Sequence, residues 1–117
     1  MNSDCLFCKI VAGTIPAKRM YEDDLCLCFA DIHPQAPTHV LVVPRRHIED
    51  ASVISPSDAE EVVALLTAAK AVADAEGIGD DDRGYRLVFN VGPDALNSVS
   101  HLHLHVLGGR RLDGPLG

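Results

Sequence analysis

No stretch of the sequence approaches the roughly 18 consecutive apolar residues that a membrane-spanning helix needs. The N-terminus, Met-Asn-Ser-Asp-Cys, lacks the basic and apolar regions of a signal peptide. A cytoplasmic protein with no membrane partner is therefore expected. Cationic residues are scarce: ten Lys and Arg stand against 17 Asp and Glu, for a net charge of −7, and basic residues adjoin only in the pairs Lys18-Arg19, Arg45-Arg46 and Arg110-Arg111. Such a chain repels a polyanion, so nucleic acid is not expected as a partner. A small phosphate ligand remains compatible, because backbone N–H groups and imidazoles bind it locally whatever the total charge. Internal repeats, low-complexity tracts and linkers are also missing. With 117 residues and 47% hydrophobic content, the expectation is one compact domain spanning 1–117.

Cysteine is sparse and paired. Cys26 and Cys28 lie in Leu-Cys-Leu-Cys-Phe and read as small residues of a core strand. Cys5 and Cys8 form C-x-x-C, a spacing that brings two thiolates to one metal or one redox centre. Without a secretion signal, disulfides are not the default. Histidines elsewhere in the chain offer further ligands.

The sharpest positive signal is Ser100 to Leu107, Ser-His-Leu-His-Leu-His-Val-Leu. Strict alternation is the period of a half-buried strand, so His101, His103 and His105 should share one face while Leu102, Leu104 and Val106 enter the core. Same-face side chains stand about 6.6 Å apart, which lets the middle ring meet a substrate while its neighbours reach other atoms of it, or a metal. Gly108-Gly109 should end this strand and let the backbone approach whatever the rings bind.

Upstream, residues 5–12 read as a short helix stopped by Gly13 and Pro16. Arg19 to Glu22 and Leu25 to Ala30 flank Asp23-Asp24 as a hairpin. A Pro-rich loop over 31–38 leads into the β-branched, buried strand His39 to Val43. Ser55-Pro56-Ser57-Asp58 starts a long helix whose apolar face is Val62, Leu65, Leu66, Ala69, Val72 and Ala73, stopped at Gly77. Asp80-Asp81-Asp82 reads as a solvated turn. Tyr85 to Asn90 is a further strand, and residues 91–99 are a polar loop feeding the histidine strand. Four or five strands interrupted by one long helix give an α+β domain with a mainly antiparallel sheet.

Neutral imidazole attacks phosphorus near neutral pH, because its ordinary pKa of about 6.5 leaves the free base abundant. His103, in the middle, is the natural nucleophile. His105 and His39 are candidate donors to phosphoryl oxygens, with Ser98 and Asn97 as neutral donors at a leaving group.

His101-Leu-His-Leu-His105-Val-Leu-Gly-Gly-Arg110 resembles the histidine triad motif. The resemblance runs through Phe29 to His39, Pro44-Arg-Arg-His47 and Asn90 to nearly the full chain. The third histidine at 105, where dinucleoside-polyphosphate hydrolases and nucleotidyl transferases of the superfamily usually carry glutamine, makes it similar to the Hint branch. The resemblance implies a HIT-like fold, a five-stranded sheet with one long helix and a short N-terminal helix, with sheets joined across a homodimer. It also implies a purine-nucleotide-binding hydrolase that cleaves nucleoside 5′-phosphoramidates through a nucleotidyl-histidine intermediate. The alternatives are dinucleoside polyphosphate or nucleotidyl-sulfate cleavage, or a nucleotide-sensing module with incidental turnover. Carried over residue by residue, it makes His103 the nucleophile and sets His39, His105 and Ser98 around the phosphate and leaving group. Asp31 would hold the ribose hydroxyls, Leu6, Phe7, Ile10 and Ile32 would line the base pocket, and Asn90 and Asn97 would add polar contacts. Cys5, Cys8, His47 and His101 match the family's bacterial zinc ligands, a closed set that implies a structural ion. The sequence departs at Leu96, where the Hint branch commonly has glycine, and in the tail Arg111 to Gly117, which lacks the tryptophan some relatives place against the partner's site.

Overall fold

A computed structural model describes residues 4–114; the last three residues of the tail lie outside them. Five strands, β1 (Arg19–Glu22), β2 (Cys26–Ala30), β3 (Thr38–Pro44), β4 (Tyr85–Val88) and β5 (Leu104–Gly108), form one antiparallel sheet in the order β1-β2-β3-β5-β4. Helix α1 (Leu6–Ala12) and helix α2 (Ala59–Ala75) complete the architecture, which is the expected α+β arrangement. No helix among the described residues is long and apolar enough to cross a membrane.

Side-chain alternation sorts the strands onto two faces. Cys26, Cys28, Val40, Val42, Leu104 and Val106 pack under α2, against Leu65, Ala68, Ala69, Val72 and Ala73. Leu27, Phe29, Leu41 and Val43 point the other way, where α1 covers them with Phe7, Cys8 and Ile10. Because both faces are covered, β3 is buried along its whole length, which is why its sequence reads as a continuous apolar run rather than an alternating one. Cys26 and Cys28 are fully buried, and burial pushes each thiol up to about 12. They are protonated core residues.

Both helices end as their sequences indicate, whereas α2 starts one 3-10 turn later than expected, at Ala59. The Cys5 sulfur accepts the Cys8 N–H at the start of α1, and Gly13, at φ +81°, ends it. Before α2, Pro56–Asp58 forms a 3-10 turn, with the Ser55 N–H donating to Asp58 at 3.0 Å. The apolar face of α2 is rotated from the expected one. Leu66 is 43% exposed and Ala68 is fully buried, because the small alanines, not the leucine, let the helix lie close on the sheet.

One further expectation is corrected and one is extended. Regular pairing in β5 begins only at Leu104, so His101 and His103 precede the strand, although Leu102, Leu104 and Val106 still enter the α2-side core. The glycine pair is also required by packing, which the local pattern did not show. A Cβ on Gly108 would stand 2.8 Å from Ile78, and one on Gly109, at φ +93°, would stand 2.8 Å from Pro37.

The two neighbouring leucines of α2 test this placement. Leu65→Ala should lower the unfolding free energy by about 2–5 kcal/mol, whereas Leu66→Ala should change it by less than about 0.5 kcal/mol, as read from denaturant midpoints.

Candidate functional site

The α1 side of the sheet carries a cleft of about 300 Å³ whose walls include Leu6, Phe7, Ile10, Asp31, Ile32, Ser98, His103 and His105. Eight of the residues singled out from the sequence therefore meet in one place. Ile32 stands at the rim, 85% exposed. Asn90 and Asn97 do not line the cleft. The Asn90 side-chain amide comes within 3.4 Å of His105 Nε2, and the Asn97 Oδ1 is buried without a hydrogen-bond partner among the described residues. Phe29, Leu41, Ile15 and Val99 also line the cleft and were not anticipated. Phe29 and Leu41 were findable, since Leu41 shares the strand parity of His39 and Phe29 lies directly opposite it in the β2–β3 register.

Register explains how the rings converge. Leu41 pairs with His105 and His39 with Leu107, so His39 and His105 are diagonal neighbours on one face. Their ring nitrogens, His39 Nε2 and His105 Nδ1, are 2.9 Å apart. The tautomers follow from the partners. The Gln35 backbone N–H donates to His39 Nδ1 at 3.0 Å, which puts the His39 proton on Nε2. That N–H donates to His105 Nδ1, with Asp31 Oδ2 also near, at 3.4 Å. His105 therefore carries its proton on Nε2, 3.4 Å from the Asn90 amide. The same trio of Asp31, His39 and His105 offers metal-ligating atoms close together, but the Gln35 N–H holds the His39 Nε2 proton in place and makes the set a hydrogen-bond relay.

Electrostatics keeps the relay neutral. Burial, reinforced by His103 and His39 nearby, pushes His105 down to about 4, with Asp31 opposing the shift. Burial also lowers His39, again against Asp31. The Asp31–His39 contact is thus an anion facing a neutral ring.

His103 is oriented separately. Its Nδ1–H donates to the His101 carbonyl at 2.7 Å, which leaves Nε2 as the lone-pair nitrogen. Phe7 stands edge-on to the ring, with centroids 5.1 Å apart, and fixes its plane.

Behind this ring lies a second cluster. Cys5, Cys8, His47 and His101 offer ligand atoms within 4.8 Å of one another, so the group can hold a metal ion. The Nδ1 of His101 is 3.3 Å from the Cys5 sulfur and 3.5 Å from the Cys8 sulfur, and the Nδ1 of His47 is 3.3 Å from the Cys8 sulfur. The His101 Nε2–H donates to the Pro44 carbonyl at 2.9 Å, and this bond aims the Nδ1 lone pair at the sulfurs. Burial lowers the His101 pKa, favouring the neutral ligand form.

The model of the HIT domain family matches residues 12–112. The chain belongs to the HIT domain family. An uncharacterized HIT-like protein of Synechocystis is 47% identical over the full length of both chains. The solved structure of a HIT family hydrolase from Clostridium thermocellum superposes with a TM-score of 0.93 at 38% identity, covering 99% of each chain. One from Legionella pneumophila gives 0.91 at 48% identity, covering 97% of this chain and 99% of its own. Within this HIT domain, Cys5 and Cys8 precede the matched segment, whereas His47 and His101 fall inside it. The departure at Leu96 leaves the backbone in the conformation glycine favours. Leu96 has φ +61°, the only positive value of a non-glycine residue among the described residues, at a cost of about 1–2 kcal/mol.

The depressed His105 pKa has a signed consequence. Between its ordinary value of 6.5 and about 4, the unfolded chain binds a proton that the folded chain refuses, so this group lowers stability as pH falls through that window and contributes no slope above it. Melting temperature measured against pH should fall less steeply between about 6.5 and 4 in His105→Gln than in the native chain; parallel curves would contradict the assignment.

Proposed function

We propose that this HIT domain is a nucleotide-binding hydrolase that cleaves nucleoside 5′-phosphoramidates by double displacement at His103. The observation that carries the reading is the bond from His103 Nδ1–H to the His101 carbonyl, which presents an unprotonated Nε2 on a ring lining the cleft. That nitrogen needs no general base. As it bonds to phosphorus, the positive charge developing on the ring is met by the carbonyl already holding Nδ1–H. The His105 Nε2–H donates to a phosphoryl oxygen, and the His39 Nε2–H keeps His105 in that tautomer. The P–N bond breaks, and the departing amine takes the Ser98 hydroxyl proton, which water at the open cleft replaces. Water then displaces His103 from phosphorus, releasing the nucleoside monophosphate. The hydrolase descriptions of the two solved relatives support the reaction class.

The remaining walls suit a purine nucleotide. Leu6, Phe7, Ile10 and Ile32 supply an apolar seat for the base. One oxygen of Asp31 accepts the His33 N–H at 2.8 Å, and that bond aims the carboxylate so that its other lone pairs accept from ribose hydroxyls. Asn90, 3.4 Å from His105 Nε2, stands beside the phosphate position, and Asn97 approaches the phosphate when nucleotide enters. A homodimer is supported by the edge strand β4 with its exposed Leu87.

For the Cys5, Cys8, His47, His101 set we assign a structural zinc. Zinc–sulfur bonds of about 2.3 Å and zinc–nitrogen bonds of about 2.0–2.1 Å at a tetrahedral angle put sulfur and nitrogen about 3.6 Å apart, close to the 3.3 to 3.5 Å found here. Two sulfurs and two imidazoles would close the coordination shell, so the ion would brace the site and leave the reaction to His103.

With adenosine 5′-phosphoramidate as substrate, His103→Ala should lose at least about 10³-fold in kcat, while a variant turning over at the native rate would refute the mechanism. Protein purified without chelators should contain about one zinc per chain, and Cys5→Ser, Cys8→Ser together should abolish it. Native protein free of metal would refute the zinc assignment.

A further inference from the structure

Where β5 ends and β4 begins, the loops 82–84 and 109–111 enclose a second cavity of about 480 Å³, lined by Asp82, Arg83, Gly84, Gly109, Arg110 and Arg111. It shares no wall with the catalytic cleft. Gly109 lies four residues beyond His105, or about 13 Å along the strand direction.

Among the residues that line the cavity, three arginines and Asp82, the charge runs against that of the whole chain. The chain has 17 acidic and ten basic residues, and Arg19, Arg45 and Arg46 each sit on a carboxylate. Arg83, Arg110 and Arg111 form no ion pair among the described residues, although they line one cavity with a single carboxylate, Asp82. Three arginines lining one space repel one another, and an anion between them converts that repulsion into attraction. Arg110 is also pre-positioned by neutral partners. Its Nη1 donates to the Arg111 carbonyl at 2.9 Å and its Nη2 to the Gln35 carbonyl at 3.2 Å, so its plane is set while its charge stays uncompensated. Planar forks of this kind bind phosphate oxygens in pairs.

We propose that this cavity is an anion subsite for a multiply charged phosphate-type oxyanion, separate from the catalytic cleft. It lies too far along the strand to touch the phosphorus at His103, so its ligand is a second anion and not the scissile group. Asp82 sets a lower limit on ligand charge: a monoanion gains little against the neighbouring carboxylate, whereas a di- or trianion is favoured by the surplus of guanidiniums.

Pyrophosphate titrated into the ¹⁵N-labelled full chain at fixed ionic strength tests this, with the amide signals of Arg83, Gly84, Gly109 and Arg110 read separately from those of Ser98, His103 and His105. The first group should shift saturably. The midpoint should rise roughly tenfold in Arg83→Gln with Arg110→Gln, in line with loss of two charge-assisted contacts. Arg83→Gln alone, which leaves the Arg110–Gln35 bond intact, should weaken binding as well and guards against a folding defect in the double variant. Shifts confined to the second group, a linear response without saturation, or an unchanged midpoint in both variants would overturn the proposal. Because the readout is residue-specific, the result does not depend on whether the cleft hydrolyses phosphoramidates.

Discussion

The hydrogen bond from the His101 ring to the Pro44 carbonyl, 2.9 Å long and wholly removed from water, is the constraint on which the rest of the site depends. One nitrogen of that ring is tied to the end of β3, so the other must face the sulfurs of Cys5 and Cys8. The carbonyl of the same residue accepts the Nδ1–H of His103. A single residue thus joins the metal-ligating cluster, the exit of the central strand and the proposed nucleophile. The adjacent Leu102 N–H donates to the Ile48 carbonyl and ties the same two segments together a second time. Breaking the ring bond would strand a polar group in the core and release both partners, at a cost of about 1–3 kcal/mol for the unsatisfied group alone.

Placing the chemistry just before the start of β5 has a physical logic. A residue inside a regular antiparallel strand spends its carbonyl on the ladder, whereas the carbonyl of His101 is free of any ladder and available to a side chain. His105, inside the ladder between β3 and β4, is held by its neighbours on both sides. The proposed nucleophile therefore sits on backbone that can serve it, and the proposed phosphate donor sits on backbone that cannot move. Burial acts on both sides of this arrangement, holding His39 and His105 neutral, so each presents one donor and one acceptor and the relay from Gln35 to the cleft has a single sense.

Much of this was legible in the sequence. Alternation over 101–107 foretold which residues enter the core, and the family resemblance, not the spacing, implied that Cys5, Cys8, His47 and His101 come together. The end of α2 near Gly77 was legible, whereas its start was placed one 3-10 turn early, at Ser55-Pro56 and not at Ala59. What escaped prediction has identifiable causes. Regular pairing in β5 starts only at Leu104, and periodicity cannot see where pairing begins. Leu66 displaced Ala68 from the expected apolar face because hydrophobicity favours leucine, while close helix-on-sheet packing favours the smaller side chain. Gly108-Gly109 read as a ligand-approach turn, but its neighbours Ile78 and Pro37 come from remote segments. The Gln35 N–H that fixes the His39 tautomer is a backbone group and leaves no trace in side-chain identity. Arg83 joined Arg110 and Arg111 only through the β4–β5 register.

The central claim is that His103 carries the nucleotide during turnover. Rapid quenching of the native protein with a nucleotide-labelled adenosine 5′-phosphoramidate tests it most directly. The account predicts label bound covalently to His103 within the first turnover and chased into AMP. AMP formed with no label on the chain at any time would contradict it, because water would then have attacked phosphorus without the ring.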